Sequence, residues 1–166
     1  LGDARSENMQ KTLNLKVKFR ESFRPFAPSV IRADLSEWFE LDYDSPYMLL
    51  VADVNNSIKR KMSNEEQKLF GIEKLNIKRS NIPAVTHVDY SARIQTVTKD
   101  NNIIYKLLKK FDKITNCPIL VNTSFNVKDE PIVCSPLDAY KCFINTGLDI
   151  LVLGNYIIHN KEVKLN

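Results

Sequence analysis

The clearest pattern in the chain lies between Asn101 and Thr115. Ile103, Ile104, Leu107, Leu108, Phe111 and Ile114 recur at three- and four-residue intervals, with lysines on the other side. That spacing predicts an amphipathic helix laid on a sheet. Met9, Leu13 and Val17 also recur at helical spacing, while Leu15, Val17 and Phe19 alternate with Lys16, Lys18 and Arg20 as in a strand. A short helix running into an extended segment satisfies both patterns. Pro25 and Pro28 then bar a continuous helix through Phe23–Ser29. Val30, Ala33, Leu35 and Trp38 predict a helix over 29–39, begun by Ser29. Tyr47–Val54 and Pro118–Asn122 read as buried strands. Asn55–Ser80 is charged and without a period, a surface excursion holding one helix from Ser63 to Phe70, with Ser63 and Glu66 spaced as a capping box. Ser135-Pro136-Leu137-Asp138 opens a further helix, with a cap, a proline at the first position and an acid at the positive end, and Gly147 ends it. Asp149–Leu153 and Tyr156–His159 flank Gly154-Asn155 as a hairpin. Strands and helices alternate along the whole length, which predicts one α/β or α+β domain with a mixed sheet flanked by helices.

Composition narrows the class. The 166 residues are 43% hydrophobic, enough for one domain with a core. The 24 Lys+Arg exceed the 20 Asp+Glu to leave a net charge of +4, which suits anionic small ligands better than nucleic acid. No apolar stretch approaches a membrane span. The expected setting is the cytoplasm. Cys117, Cys134 and Cys142 are odd in number and lack paired spacing, and His87 and His159 stand far apart, so neither a disulfide framework nor a protein-held metal is expected. The chain opens on Leu1 and so reads as a piece of a longer polypeptide.

Three polar segments carry candidate chemistry. In Lys18–Pro28 the cations Lys18, Arg20 and Arg24 alternate with phenylalanines and stiffening prolines. That admits two readings, a phosphate clamp of fixed cations or a solvated basic edge. In Thr86–Gln95, Thr86, Ser91, Arg93 and Gln95 are donors for a phosphate or a urea-like amide, and Asp89 is placed to orient Arg93 or His87 or to bind magnesium. The plainer reading is a turn with satisfied side chains. In Asn122–Pro131 a polar loop follows a strand, as ligand loops in α/β folds do. Its short side chains either admit a phosphate or make an ordinary turn.

Lys18-Phe19-Arg20-Glu21 through Phe23-Arg24-Pro25-Phe26-Ala27-Pro28, Ser45-Pro46-Tyr47-Met48, Pro83-Ala84-Val85-Thr86-His87-Val88-Asp89, Ser91-Ala92-Arg93, Gln95-Thr96-Val97, Asn122-Thr123-Ser124-Phe125-Asn126, Glu130-Pro131-Ile132-Val133 and Thr146-Gly147-Leu148-Asp149 occur in this order. Together they resemble the carboxy-terminal domain of the carbamoyltransferases of nodulation and antibiotic biosynthesis, over nearly the whole chain. The resemblance implies a YrdC-like fold. It implies that carbamoyl phosphate and ATP, with Mg2+ on the nucleotide, are converted to carbamoyl adenylate. It also implies an amino-terminal, metal-bearing transferase domain of the actin/hexokinase type, in the same polypeptide, that passes the carbamoyl group to a hydroxyl acceptor.

By motif, Lys18, Arg24 and Arg93 are the implied catalytic contacts. Arg20, Thr86, Ser91, Asn122, Thr123, Ser124, Asn126 and Lys128 are the implied substrate and nucleotide contacts. Two polyanions held side by side need fixed cations more than a protein nucleophile. Three positions depart from the family pattern: Lys128 stands where arginine is usual, and Asp129 and Tyr90 where glycine is usual. Two other readings are a nucleotide- or phosphate-binding module without catalysis and, with less support from the charge, an RNA-binding domain of the same fold.

Overall fold

The computed structural model of the chain describes residues 1–160. Contacts gather into two compact units, Leu1–Gln10 with Pro25–Thr123, and Lys11–Arg24 with Ser124–Asn166.

The first unit is built on a five-stranded mixed sheet of order β1-β5-β2-β4-β3. Its strands are β1 (Gly2–Asp3), β2 (Ala27–Ile31), β3 (Leu50–Asp53), β4 (Ser91–Val97) and β5 (Ile119–Asn122). β2 and β4 run parallel, and all other pairs are antiparallel. Pro28 sits inside the central strand β2, where a missing N–H is costly. The parallel ladder to β4 starts one residue later, at Ser29 opposite Gln95, so no bond of that ladder is lost at Pro28. A helix over Asn102–Thr115 lies on β2 and β5. Its Leu108 is fully buried with Ile31, Val97 and Leu120, and Ile104, Tyr105 and Phe111 pack around them.

Several expectations hold and four are corrected. The helix over 102–115 and the strand before Asn122 form as the periodicity predicts. Ser63 and Glu66 make both bonds of their capping box, on a helix shorter than expected, Asn64–Lys68. Residues 29–39 are not one helix. Ser29 lies in β2, a 3-10 turn covers Arg32–Asp34, and only Leu35–Trp38 is α-helical. Val30 and Ile31 are β-branched and fully buried between two strands, and that packing overrides the helical spacing. Tyr47–Val54 is not a buried strand. Only Leu50–Asp53 pairs, at the sheet edge, and Tyr47, Leu49 and Val51 are exposed. An apolar run does not say which face is covered. Residues 18–24 are not extended either: helical spacing wins at Met9–Thr12 and in a π-turn over Leu13–Val17, and coil follows.

The second unit holds that π-turn, a helix over Pro136–Ile144 and the hairpin of β6 (Ile150–Leu153) and β7 (Tyr156–His159). Ser135 and Asp138 form a capping box with Pro136 in the first turn, as the sequence predicts. Phe143, Ala139 and Leu151 form its core, with Phe125, Val133 and Ile158 against them. The helix stops at Ile144, before Gly147. That glycine serves a close approach instead: its N–H donates to the Lys16 carbonyl at 2.8 Å. A Cβ there would lie 2.8 Å from the Cβ of Lys16. Gly147→Ala is therefore expected to destabilise the chain by about 1–3 kcal/mol, read as a lower urea midpoint, while Lys16→Gly in the same background restores part of it.

Candidate anion-binding site

The second unit brings six of the eleven implied contact residues, Lys18, Arg20, Arg24, Ser124, Asn126 and Lys128, into one concavity, together with Val127 and Asp129. Lys18, Arg20, Arg24, Ser124, Asn126, Val127, Lys128 and Asp129 line a cavity of about 310 Å³. Lys18 follows the π-turn and is only 4% exposed. Its ammonium donates to the Ser124 hydroxyl at 3.1 Å, the Asn126 carbonyl at 3.0 Å and Asn126 Oδ1 at 2.7 Å, and to the Ser124 carbonyl. These partners are all neutral oxygens. They solvate the charge without neutralising it, and burial, then the charge of Arg20, pulls the ammonium's pKa down.

The loop that presents the cations is tied by Asn14, a residue without a motif to mark it. Asn14 is fully buried in the π-turn. Its Nδ2 donates to the carbonyls of Ser22 and Arg24 at 3.0 and 2.8 Å, and its Oδ1 accepts from Arg20 Nε at 2.6 Å. Arg24 pairs with Glu21 at 2.9 Å. Burial first, then Arg24, pulls the Arg20 pKa down. Across the cavity, Ser124 Oγ donates to Asn126 Oδ1 at 2.6 Å and Asn126 Nδ2 to the Glu130 carbonyl at 2.9 Å. The Lys128 N–H donates to the Lys18 carbonyl at 3.1 Å, so the two basic segments are stitched through backbone as well as side chain. Asp129 adopts φ 64°, the left-handed region for which glycine is suited. Its carboxylate is the one acid among the residues lining the cavity.

The remaining candidates lie in the first unit and are engaged differently. The Thr86 hydroxyl donates to the Ile82 carbonyl at 2.9 Å and shares a bond with Ser80 at 2.6 Å. It closes the turn before β4. Ser91 is buried, and its hydroxyl donates to Asp89 at 2.7 Å with His87 Nδ1 at 3.2 Å. The bonds from Ser91 hold the Asp89 carboxyl below the usual carboxylate range. Tyr90, between them, sits at φ 67°. Arg93 is exposed on β4. Asn122 Nδ2 and Ser29 Oγ both donate to Gln95 Oε1, at 2.7 and 2.6 Å, across the three central strands. Ser45 is pinned to β4 by its hydroxyl on the Ile94 carbonyl and its N–H on Thr96 Oγ1. Thr123 is half-buried after β5. Among the described residues no group of three or more His, Cys, Asp or Glu is placed to hold a metal ion, and no helix is long and apolar enough to cross a membrane.

A concavity lined by four cations beside a polar loop, in a mixed α/β framework, is a candidate site for an anion. Comparison with known proteins gives it a family. Residues 1–160 match the family described as carbamoyltransferase C-terminus, and the chain belongs to it. An uncharacterized protein of Synechocystis is 57% identical over 95% of this chain and 26% of its own length. Nodulation protein NolNO of Sinorhizobium fredii is 41% identical over 97% of this chain and 21% of its own. The 3'-hydroxymethylcephem-O-carbamoyltransferase of Amycolatopsis lactamdurans is 31% identical over 84% and 23%. The chain thus spans about a quarter of the length of the curated relatives it matches.

Two outcomes follow from this geometry. Asn14→Ala removes three hydrogen bonds, two to loop carbonyls and one from Arg20 Nε, and is expected to cost roughly 2–4 kcal/mol at about 1 kcal/mol or more per bond, with Asn14→Asp failing to restore it because a carboxylate has no donor for the carbonyls of residues 22 and 24. Urea unfolding checks both. His87 is pulled below its usual pKa, first by burial. The unfolded chain therefore takes up this proton at a higher pH than the folded chain, and stability falls as pH drops from about 6.5 towards the lower folded value. In His87→Asn that part of the slope is expected to vanish, read from urea midpoints between pH 7.5 and 5.

Proposed function

We propose that this domain binds carbamoyl phosphate and ATP and, consuming one water and releasing phosphate from the first and pyrophosphate from the second, forms carbamoyl adenylate for transfer to a hydroxyl acceptor by the remainder of a longer polypeptide. The observation that carries the reading is the cation-lined cavity at Lys18, Arg20, Arg24 and Lys128. The family supplies the chemistry. A relative's name specifies an O-carbamoyltransferase, and the fold is read as YrdC-like on the same resemblance.

The residues act by position and charge. The Arg24 and Arg20 guanidiniums offer forked donors to phosphate oxygens. Lys18 sets the Ser124–Asn126 loop and adds a buried positive charge beside the cavity. Its field strengthens hydrogen bonds to any anion seated there, because the surrounding dielectric is low. Charge developing on a departing phosphate or pyrophosphate meets donors already in place. Arg93 and Ser91 are proposed on the family motif as a phosphate contact of the sheet unit. The cationic lining is not a site for a bare metal ion, so Mg2+ is expected to arrive on the triphosphate. A second reading, a binding module without turnover, is favoured by one feature, the Asp129 carboxylate among the cations.

Titration calorimetry tests the site. Arg24→Ala is expected to weaken carbamoyl phosphate by roughly tenfold, the worth of one charge-assisted bond. Asp129→Gly removes the opposing charge at a backbone position suited to glycine, and is expected to tighten the same ligand. Lys128→Arg restores the forked donor and is expected to tighten it further. Unchanged affinity in Arg24→Ala would remove this cavity from the site. Pyrophosphate release from ATP that depends on carbamoyl phosphate separates catalysis from mere binding.

A further inference from the structure

An antiparallel strand pair with one face in water alternates apolar and polar residues, because only one face needs burying. The β6–β7 hairpin breaks that rule. Its register pairs Ile150 with His159, Leu151 with Ile158, Val152 with Ile157 and Leu153 with Tyr156. Leu151, 4% exposed, and Ile158 join the core around Phe143. The opposite face carries Ile150, Val152 and Ile157 beside His159, and the three aliphatics are 48, 66 and 64% exposed. The runs Ile150-Leu151-Val152-Leu153 and Tyr156-Ile157-Ile158 are the composition of strands covered on both sides.

We propose that this bare face is a docking surface whose occupant is the part of the longer polypeptide lying outside this domain. The inference rests on the reading above that the domain works within such a polypeptide. Two observations choose that occupant over a second copy of the chain. Relatives matched along 95–97% of this chain devote only 21–26% of their length to it. The face is also small: three part-exposed aliphatics offer on the order of 300 Å², against roughly 800 Å² per partner in a stable complex of separate chains. A covalent tether raises the effective concentration to about the millimolar range, so a small apolar face suffices for a tethered neighbour.

The test is cysteine labelling in the full-length polypeptide. Val152→Cys and, separately, Ile157→Cys are made with Cys134→Ser, and Lys113→Cys serves as the reference on an exposed helix position. The expected result is maleimide reaction at least about tenfold slower at 152 and 157 than at 113, unchanged on dilution. Buried Cys117 reports that each variant is folded. Equal rates at the three positions would overturn the proposal. Protection lost on dilution would overturn the occupant and point to a second copy. Labelling needs no ligand, so the two readings fail separately: fast labelling in a polypeptide that binds carbamoyl phosphate sinks this inference alone, and protection without binding sinks only the functional reading.

Discussion

The ammonium of Lys18 is the interaction on which the second unit depends. It joins positions 106 and 108 residues apart in sequence and closes the Ser124–Asn126 loop over a segment that has no strand or helix of its own. A cation this buried usually has a carboxylate. Here it has carbonyls, a hydroxyl and an amide oxygen. A carboxylate partner would pair the charge and leave little field for a ligand. Neutral oxygens meet the cost of burial in part and leave the field intact. Arg20 and Arg24 add to it: burial first, and then the neighbouring cation, pulls down the pKa of Lys18 and of Arg20. A bound anion would offset that repulsion, which is why a cluster unfavourable on its own is proposed as an anion site.

The loop geometry also explains how two departures from the family pattern are tolerated. Asp129 and Tyr90 stand where the resemblance leads one to expect glycine, and both take positive φ, 64° and 67°. The turns therefore survive the substitutions, at a backbone cost that aspartate bears more lightly than tyrosine. Tyr90 has compensation: its carbonyl accepts from the Val54 N–H at 2.8 Å, its hydroxyl donates to the Arg60 carbonyl at 3.2 Å, and Lys59 lies over its ring. Asp129 has no such reward in its turn, and its charge enters the cavity. The two replacements conserve the same backbone shape with different electrical consequences.

Legibility in the sequence followed the range of the forces. The helix over 102–115, the capping box at Ser63 and Glu66 and the helix start at Ser135 were readable because their causes lie within a few residues. The cation cluster was readable as a composition and as a family motif. Its geometry was not, because Lys18 and Asn126 meet across more than a hundred residues. Asn14 was invisible for the same reason: an asparagine in an apolar helical stretch carries no mark that it will hold three loop groups. Ser29 was misread as a helix cap because its true partner, Gln95, stands on another strand. The apolar run at Tyr47–Val54 misled because it announces burial, while Tyr47, Leu49 and Val51 are exposed; the hairpin at 149–159 formed as read.

That last point bears on how such a domain is to be understood energetically. Within the described residues, Leu151 and Phe143 make a core, while Val152 and Ile157 on the same hairpin do not. An isolated two-stranded hairpin is marginal, and this one leans on a single helix face. Covering its second face by even half of the exposed aliphatic surface would add on the order of 3–4 kcal/mol at about 25 cal/mol/Å². That is a sizeable share of the roughly 5–15 kcal/mol that holds an ordinary domain folded. The hairpin follows directly on the segment Thr146–Leu148, whose carbonyls accept from Asn160 and whose Gly147 binds the Lys16 carbonyl in the turn that leads to Lys18. Stabilising the hairpin would therefore stiffen the anchor of the cation cluster, and the surface proposed to receive a neighbour and the cavity proposed to receive an anion are tied through one short stretch of backbone.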